Sequence, residues 1–208
     1  MPQMTDEKVS HSSPGGERRS SPPSRAGRSS LLAVALVGFM GAGKTTVGRA
    51  LAARLRWRFE DLDDLIQARE GCSVEQIFRE QGEAGFRKLE RLMVREIAAR
   101  EIAAPPLVLA LGGGAFPEET VQEVLREAGI PAVFLDAPVE ELFRRSEQPE
   151  VVRPLRRERE QFSELCQRRR SAYLRAHLRI ETGGREIAAI VEEIVLGLKL
   201  APGAGASG

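Results

Sequence analysis

The apolar run Leu31-Leu-Ala-Val-Ala-Leu-Val37 passes directly into Gly38-Phe-Met-Gly-Ala-Gly43-Lys44-Thr45, and a helical pattern follows from Thr46 to Leu55. The spacing G-x-x-x-x-G-K-[ST] between a strand and a helix is that of a phosphate loop. Its glycines let the backbone curl so that N–H groups surround phosphate oxygens at the positive end of the helix. Side chains at Gly41 or Gly43 are expected to obstruct that cradle. Lys44 is placed to neutralise the β- and γ-phosphates of a nucleotide, and the Thr45 hydroxyl to take a position on Mg²⁺.

Further along, short apolar runs alternate with longer helical patterns: Trp57 to Glu60, Leu107 to Leu111, Ala132 to Leu135 and a weaker Leu178-Arg-Ile180. Alternation of this kind predicts βαβ units and a parallel sheet covered on both faces. Ser73 followed by Gln76 is a capping box, Pro117-Glu118-Glu119 a helix start, and Gly129 with Pro131 a stop.

At 208 residues the chain fits one such domain. Residues 1–30 are dominated by Ser, Pro, Gly and Arg, and 201–208 are small residues and a proline, so both ends are expected to be disordered tails around a functional core at 31–200. With a net charge of +1, the chain gives no electrostatic reason to expect nucleic acid or an anionic membrane as a partner. No apolar run approaches the length of a membrane span. The acidic Asp6, Glu7 and Glu17 argue against a transit peptide, which leaves a cytoplasmic protein as the expectation. Cys72 and Cys166 lack metal-ligand spacing and read as reduced thiols.

Three constellations supply the remaining chemistry. Asp61 and Asp63 follow the second strand. If the chain is still extended there, both carboxylates share a face and point into one cleft, one toward Mg²⁺ and one toward a substrate hydroxyl; both equally suit the start of a helix. Arg87 and Glu90 are i, i+3 neighbours beside the apolar stripe Phe86, Leu89, Met93 and Ile97, either an ordinary helix pair or an arginine pre-organised for a planar anion. Gly112-Gly-Gly114 follows a strand, where bare backbone approaches ligands in open α/β sheets. Between Arg144 and Arg170 arginines crowd the chain, interleaved with Glu147, Glu150, Glu158, Glu160 and Glu164. That mixture suits a lid over a nucleotide better than a nucleic-acid patch.

Taken in order, these motifs make the chain resemble the shikimate kinases from about Leu31 to Leu198: the loop Gly38 to Gly48, Asp61-Leu-Asp63, Gly82-Glu-Ala-Gly-Phe-Arg-Lys-Leu-Glu90, Gly112-Gly-Gly-Ala115 and Arg153-Pro-Leu155. The resemblance implies an α/β P-loop kinase fold like that of nucleoside monophosphate kinases, with a five-stranded parallel sheet, helices on both faces and a mobile lid at about 146–160. It implies transfer of the γ-phosphoryl of ATP to the 3-hydroxyl of shikimate, with Mg²⁺ as cofactor and a monomeric protein. By the same resemblance Gly41, Ala42, Gly43, Lys44, Thr45 and Thr46 hold the phosphates, Thr45 and, through water, Asp61 hold the metal, and Asp63 binds the acceptor hydroxyls as candidate base. Arg87 and Arg169 clamp the substrate carboxylate, Glu90 orients Arg87, Gly113 and Gly114 touch the ring substituents, Arg153 reaches the ATP phosphates and Arg145 packs on adenine. The family's usual Arg-x-Pro-x-Tyr stands here as Arg169-Arg-Ser-Ala-Tyr173, which leaves Arg169 and Arg170 as the two candidates for the carboxylate. Alternatives to be separated are a gluconate or nucleotide kinase of the same fold and a non-catalytic nucleotide-binding module.

Overall fold

The computed structural model of the chain describes residues 31–100, 106–146 and 155–202. The expected tail at 1–30, positions 203–208 of the one expected at 201–208, and positions 147–154 of the expected lid with Arg153 lie outside the described residues.

Five parallel strands form one sheet in the order β2-β3-β1-β4-β5, where β1 is Ala33–Val37, β2 Arg58–Asp61, β3 Leu107–Ala110, β4 Ala132–Asp136 and β5 Leu178–Glu181. All five runs expected as strands form one. The three central strands are almost wholly buried, which explains why they read as unbroken apolar runs rather than alternating ones. The edge strand β5 alternates exposed with buried residues from Arg179 to Glu181.

Among the described residues seven helices cover the sheet: α1 Lys44–Leu55, α2 Leu62–Glu70, α3 Val74–Arg100, α4 Glu119–Glu127, α5 Val139–Ser146, α6 Leu155–Tyr173 and α7 Ile187–Gly197. The Ser73 hydroxyl accepts from Gln76 N at 3.2 Å, but the Gln76 side chain turns to Glu80, so only half of the expected capping box is made. Gly71 and Gly129 end α2 and α4 in the left-handed region that glycine reaches without strain. In α3, Gly82 departs from helical geometry at φ 69°, ψ −177° and splits the helix immediately before Glu83.

Register brings the chemistry to one end. Leu36 pairs with Ala110, and Ala110 with Asp61, so the loops leaving β1, β2 and β3 emerge side by side at the carboxyl ends of the strands. Among the described residues no helix is long and apolar enough to cross a membrane.

Candidate active site

Gly43 caps α1 without a side-chain hydrogen bond, and the first turn of that helix carries no acidic residue, so α1 itself leaves its positive end uncompensated. The glycines of the preceding loop serve different ends. A Cβ on Gly41 would lie 2.5 Å from the carbonyl oxygen of Leu142, so the fold itself forbids one. At Gly43 nothing stands within 4 Å of a Cβ; there the requirement is the backbone, held at φ 85°. Within the protein itself, then, close approach constrains Gly41 and backbone conformation constrains Gly43. Ala42 is buried, while Thr46 is exposed at the first turn of α1.

Lys44 folds back onto its own loop, donating to the carbonyl oxygens of Gly38 at 3.1 Å and Phe39 at 3.0 Å. Burial pulls its ammonium down to about 8, against the opposing pull of Asp63 and Asp61. Thr45 Oγ1 donates to Asp61 Oδ2 at 2.8 Å, and the other oxygen of Asp61 accepts from the backbone N–H of Asp63 at 3.1 Å. Asp61 is thus both the N-cap of α2 and a neighbour of the phosphate loop, and the two sequence readings of this residue hold together. The chain does not stay extended to Asp63, which stands in the first turn of α2 and reaches the cleft from a helix. Its Oδ1 is buried without a hydrogen-bond partner. Burial, then the neighbouring Asp61, raises the Asp63 carboxyl above its ordinary value, while Lys44 and Arg87 draw it down. Asp63 therefore lies in the field of both Lys44 and Arg87.

Arg87 Nη1 donates to Glu90 Oε2, and Glu90 is buried within the apolar stripe of α3. Burial raises the Glu90 carboxyl and Arg87 opposes the shift. A carboxylate this deep is tolerated because it is paired, and removing the partner of such a pair costs about 3–5 kcal/mol. The glycine turn lies against these groups. A Cβ on Gly112 would stand 2.7 Å from both Asp63 Oδ1 and Glu90 Oε1, and one on Gly114 would stand 2.1 Å from Arg87 Nη2. The space opened by glycine at these two positions is filled by the protein's own charged side chains, a requirement that strand-and-turn reading does not show.

Helix α6 closes the site from the other side of the phosphate loop. Arg169 Nη1 donates to Gly113 O at 3.3 Å, and its guanidinium lies 5.8 Å from the centre of the Phe39 ring. The Tyr173 hydroxyl donates to the same Gly113 oxygen. Burial pushes that phenol well above its ordinary value. Tyr173 itself is stacked on Phe134 at 5.2 Å, and Phe162 meets the Phe39 ring edge-on at 4.9 Å. Arg170 turns the other way and donates to Asp136 Oδ2 at 2.7 Å, sharing that carboxylate with Arg179. Of the two candidate arginines, Arg169 faces the cleft of Asp63 and Arg87. Arg145 is exposed at the end of α5 and pairs with Glu141, whose Oε1 also lies 3.5 Å from the backbone N–H of Gly184.

The structure gives four further residues of quoted motifs contacts that sequence reasoning did not assign. Gly112, Phe39 and Tyr173 are structural walls of the cleft, and Glu83 stands between the two cleft arginines. Each stands inside a stretch quoted from the sequence, the phosphate loop, the triple glycine, Arg169 to Tyr173 or Gly82 to Glu90, but the motifs alone did not show these contacts. Together the groups bring a glycine loop at a helix N-terminus, buried carboxylates and a pair of guanidiniums to the same end of the sheet, a geometry suited to phosphoryl transfer onto an anionic alcohol.

Known proteins resemble this chain in sequence and fold. The family model for shikimate kinase matches residues 40–199. A shikimate kinase of Persephonella marina is 38% identical over 160 residues, covering 77% of this chain and 94% of that protein. One from Thermus thermophilus is 40% identical over 165 residues, covering 78% of this chain and 87% of that protein. Among solved structures, the shikimate kinase of Acinetobacter baumannii in complex with shikimate matches with a TM-score of 0.73 at 34% identity, over 82% of this chain and 95% of that one.

Proposed function

The chain belongs to the shikimate kinase family, and we propose that its residues divide that family's reaction between them in the following way. The reaction moves the γ-phosphoryl of ATP to the 3-hydroxyl of shikimate and yields shikimate 3-phosphate and ADP. The observation that carries the reading is the buried, unpartnered Oδ1 of Asp63, which lies against the glycine turn beside the Glu90 that holds Arg87 and feels the charge of both Lys44 and Arg87. A nucleotide phosphate and an acceptor held by those two cations meet at that carboxylate.

Gly41, Ala42 and Gly43 with the first turn of α1 cradle the phosphates, Lys44 exchanges its loop carbonyls for phosphate oxygens, and Thr46 adds a hydroxyl at the same turn. Asp63 Oδ1, which has no hydrogen-bond partner within the protein, accepts the proton of the acceptor hydroxyl. As that oxygen bonds to the γ-phosphorus, the bond from phosphorus to the β-bridging oxygen breaks and ADP leaves. Such transfer asks little covalent chemistry of a protein, so positioning and charge compensation supply most of the rate. Arg87 and Arg169 clamp the substrate carboxylate, while Gly113 and Gly114 line the ring. Arg145 packs on adenine, and Arg153 reaches the ATP phosphates.

The hydroxyl of Thr45 and the carboxylate of Asp61, 2.8 Å apart beside the loop, form the oxygen donor set that a hard divalent cation prefers. Mg²⁺ would be held there by Thr45 and, through water, by Asp61. It would supply charge neutralisation at the β- and γ-phosphates. On this reading the protein works as a monomer through residues 31–200, in the cytoplasm, on small molecules.

The test is a coupled ADP-release assay with shikimate, gluconate and nucleoside monophosphates side by side. Turnover with shikimate is expected to exceed the others by orders of magnitude. Release that follows gluconate or a nucleotide instead would displace the reading, and ATP binding without acceptor-dependent release would make the protein a nucleotide-binding module.

A further inference from the structure

A carboxylate already stands between the two arginines assigned to the substrate. Glu83 Oε1 lies 3.0 Å from Arg87 Nη2 and 3.9 Å from Arg169 Nη2. One oxygen is therefore the point on which guanidiniums from α3 and α6 converge.

The two acidic partners of Arg87 differ in kind. Glu90 holds Nη1 from a side chain that is 1% exposed, whereas Glu83 holds Nη2 from one that is 64% exposed. Buried charge pairs resist separation because each partner would be stranded away from water. Exposed pairs are weakly held, since water replaces either partner readily. One edge of the Arg87 guanidinium is thus fixed inward, and the other is presented to an exchangeable ligand.

Direct pairing leads to the same point. Glu90 takes one edge of the Arg87 guanidinium, and Glu83 takes the other edge together with Nη2 of Arg169. Gly82 breaks α3 just ahead of Glu83, and the Glu83 side chain is largely exposed, so its exchange asks for no unwinding of a buried helix.

We propose that Glu83 is a resident stand-in for the acceptor carboxylate. It keeps Arg87 and Arg169 aligned and compensated in the free protein, and the substrate carboxylate takes its place by exchange. This rests on the reading that these arginines clamp the acceptor. Exchange sets selectivity as well as affinity: a planar carboxylate that satisfies both guanidiniums at once displaces Glu83, whereas a neutral ligand meets Arg87 and Arg169 already engaged.

Glu83→Gln keeps the length of the side chain and removes its charge. Shikimate, its methyl ester and inorganic phosphate are titrated calorimetrically into the full-length protein and the variant. Losing an exposed competitor is expected to tighten shikimate about two- to fivefold and to strengthen phosphate in the same direction. The ester, which has no carboxylate to exchange, gains less, so discrimination between acid and ester widens. A shikimate Kd that is unchanged or weaker in the variant overturns the proposal. So does an equal gain by acid and ester, because a general loosening of the cleft would move both alike. If the unaltered protein releases no ADP with shikimate, it is the family reading of the cleft that fails, and the Glu83 proposal falls with it.

Discussion

The hydroxyl of Tyr173 donates to the carbonyl oxygen of Gly113, fastening the helix that carries Arg169 to the glycine turn that Arg87 covers. Two halves of the acceptor pocket, separated widely in sequence, are held in register by that bond. Tyr173→Phe keeps the ring between Phe116 and Phe134 and removes the bond alone. A net hydrogen bond contributes about 1 kcal/mol, which at this chain length is a fall in Tm of about 2–4 °C. The shikimate KM is expected to rise with it, and a Tm equal to that of the unaltered protein would show that the bond holds nothing.

Arg87→Ala is expected to raise the shikimate KM by a factor equivalent to about 2–5 kcal/mol, since it removes a guanidinium hydrogen-bonded to a buried carboxylate. ADP affinity, read by calorimetry, should stay close to its original value because Lys44 and the loop are untouched. An unchanged KM refutes the carboxylate clamp.

Lys44 sits at about 8 in the free protein, so near that pH roughly half of the molecules carry a neutral amine. Phosphate oxygens favour the charged form and raise the value again. Binding ADP at pH 8 should therefore take up about half a proton from solution, and affinity should weaken as the pH climbs further. Calorimetry in buffers of different ionisation enthalpy measures this uptake. A binding enthalpy independent of the buffer would contradict the lowered value.

Gly114→Ala places a methyl group where the Arg87 guanidinium lies, whereas Gly113→Ala meets the backbone of residues 38–40 at ordinary contact distance, the nitrogen of Met40 nearest at 3.4 Å. The arginine is the movable party, so the fold should survive while the clamp is displaced. Gly114→Ala is expected to weaken shikimate about tenfold, or about 1.4 kcal/mol, with a far smaller effect from Gly113→Ala. Equal effects of the two would mean that Arg87 relaxes freely.

What the sequence made legible was whatever depends on neighbours close in the chain. The phosphate loop follows from its own spacing, and the sheet from apolar runs that are buried on both faces. Asp61 stayed open between capping and the cleft because one oxygen does each. The split at Gly82 was hidden, since a glycine within a periodic stretch reads as a tolerated weak point. The choice of Arg169 over Arg170 depends on how α6 is turned against the sheet: one residue meets Gly113 and the next meets Asp136. Glu83 was out of reach for the same reason, because its second contact comes from α6.

The aromatic contacts of α6 carry a mechanical corollary. Phe162 is wedged against Phe39 and Phe143, and further along the same helix Tyr173 is bolted to the sheet and the glycine turn. Between those two fixings the helix is a jig, not a jaw, and swinging it outward would break several ring contacts at once. The wall that carries Arg169 therefore keeps its shape whichever ligand arrives, and a designer seeking a new acceptor should recut the side chains of that wall instead of loosening its hinge.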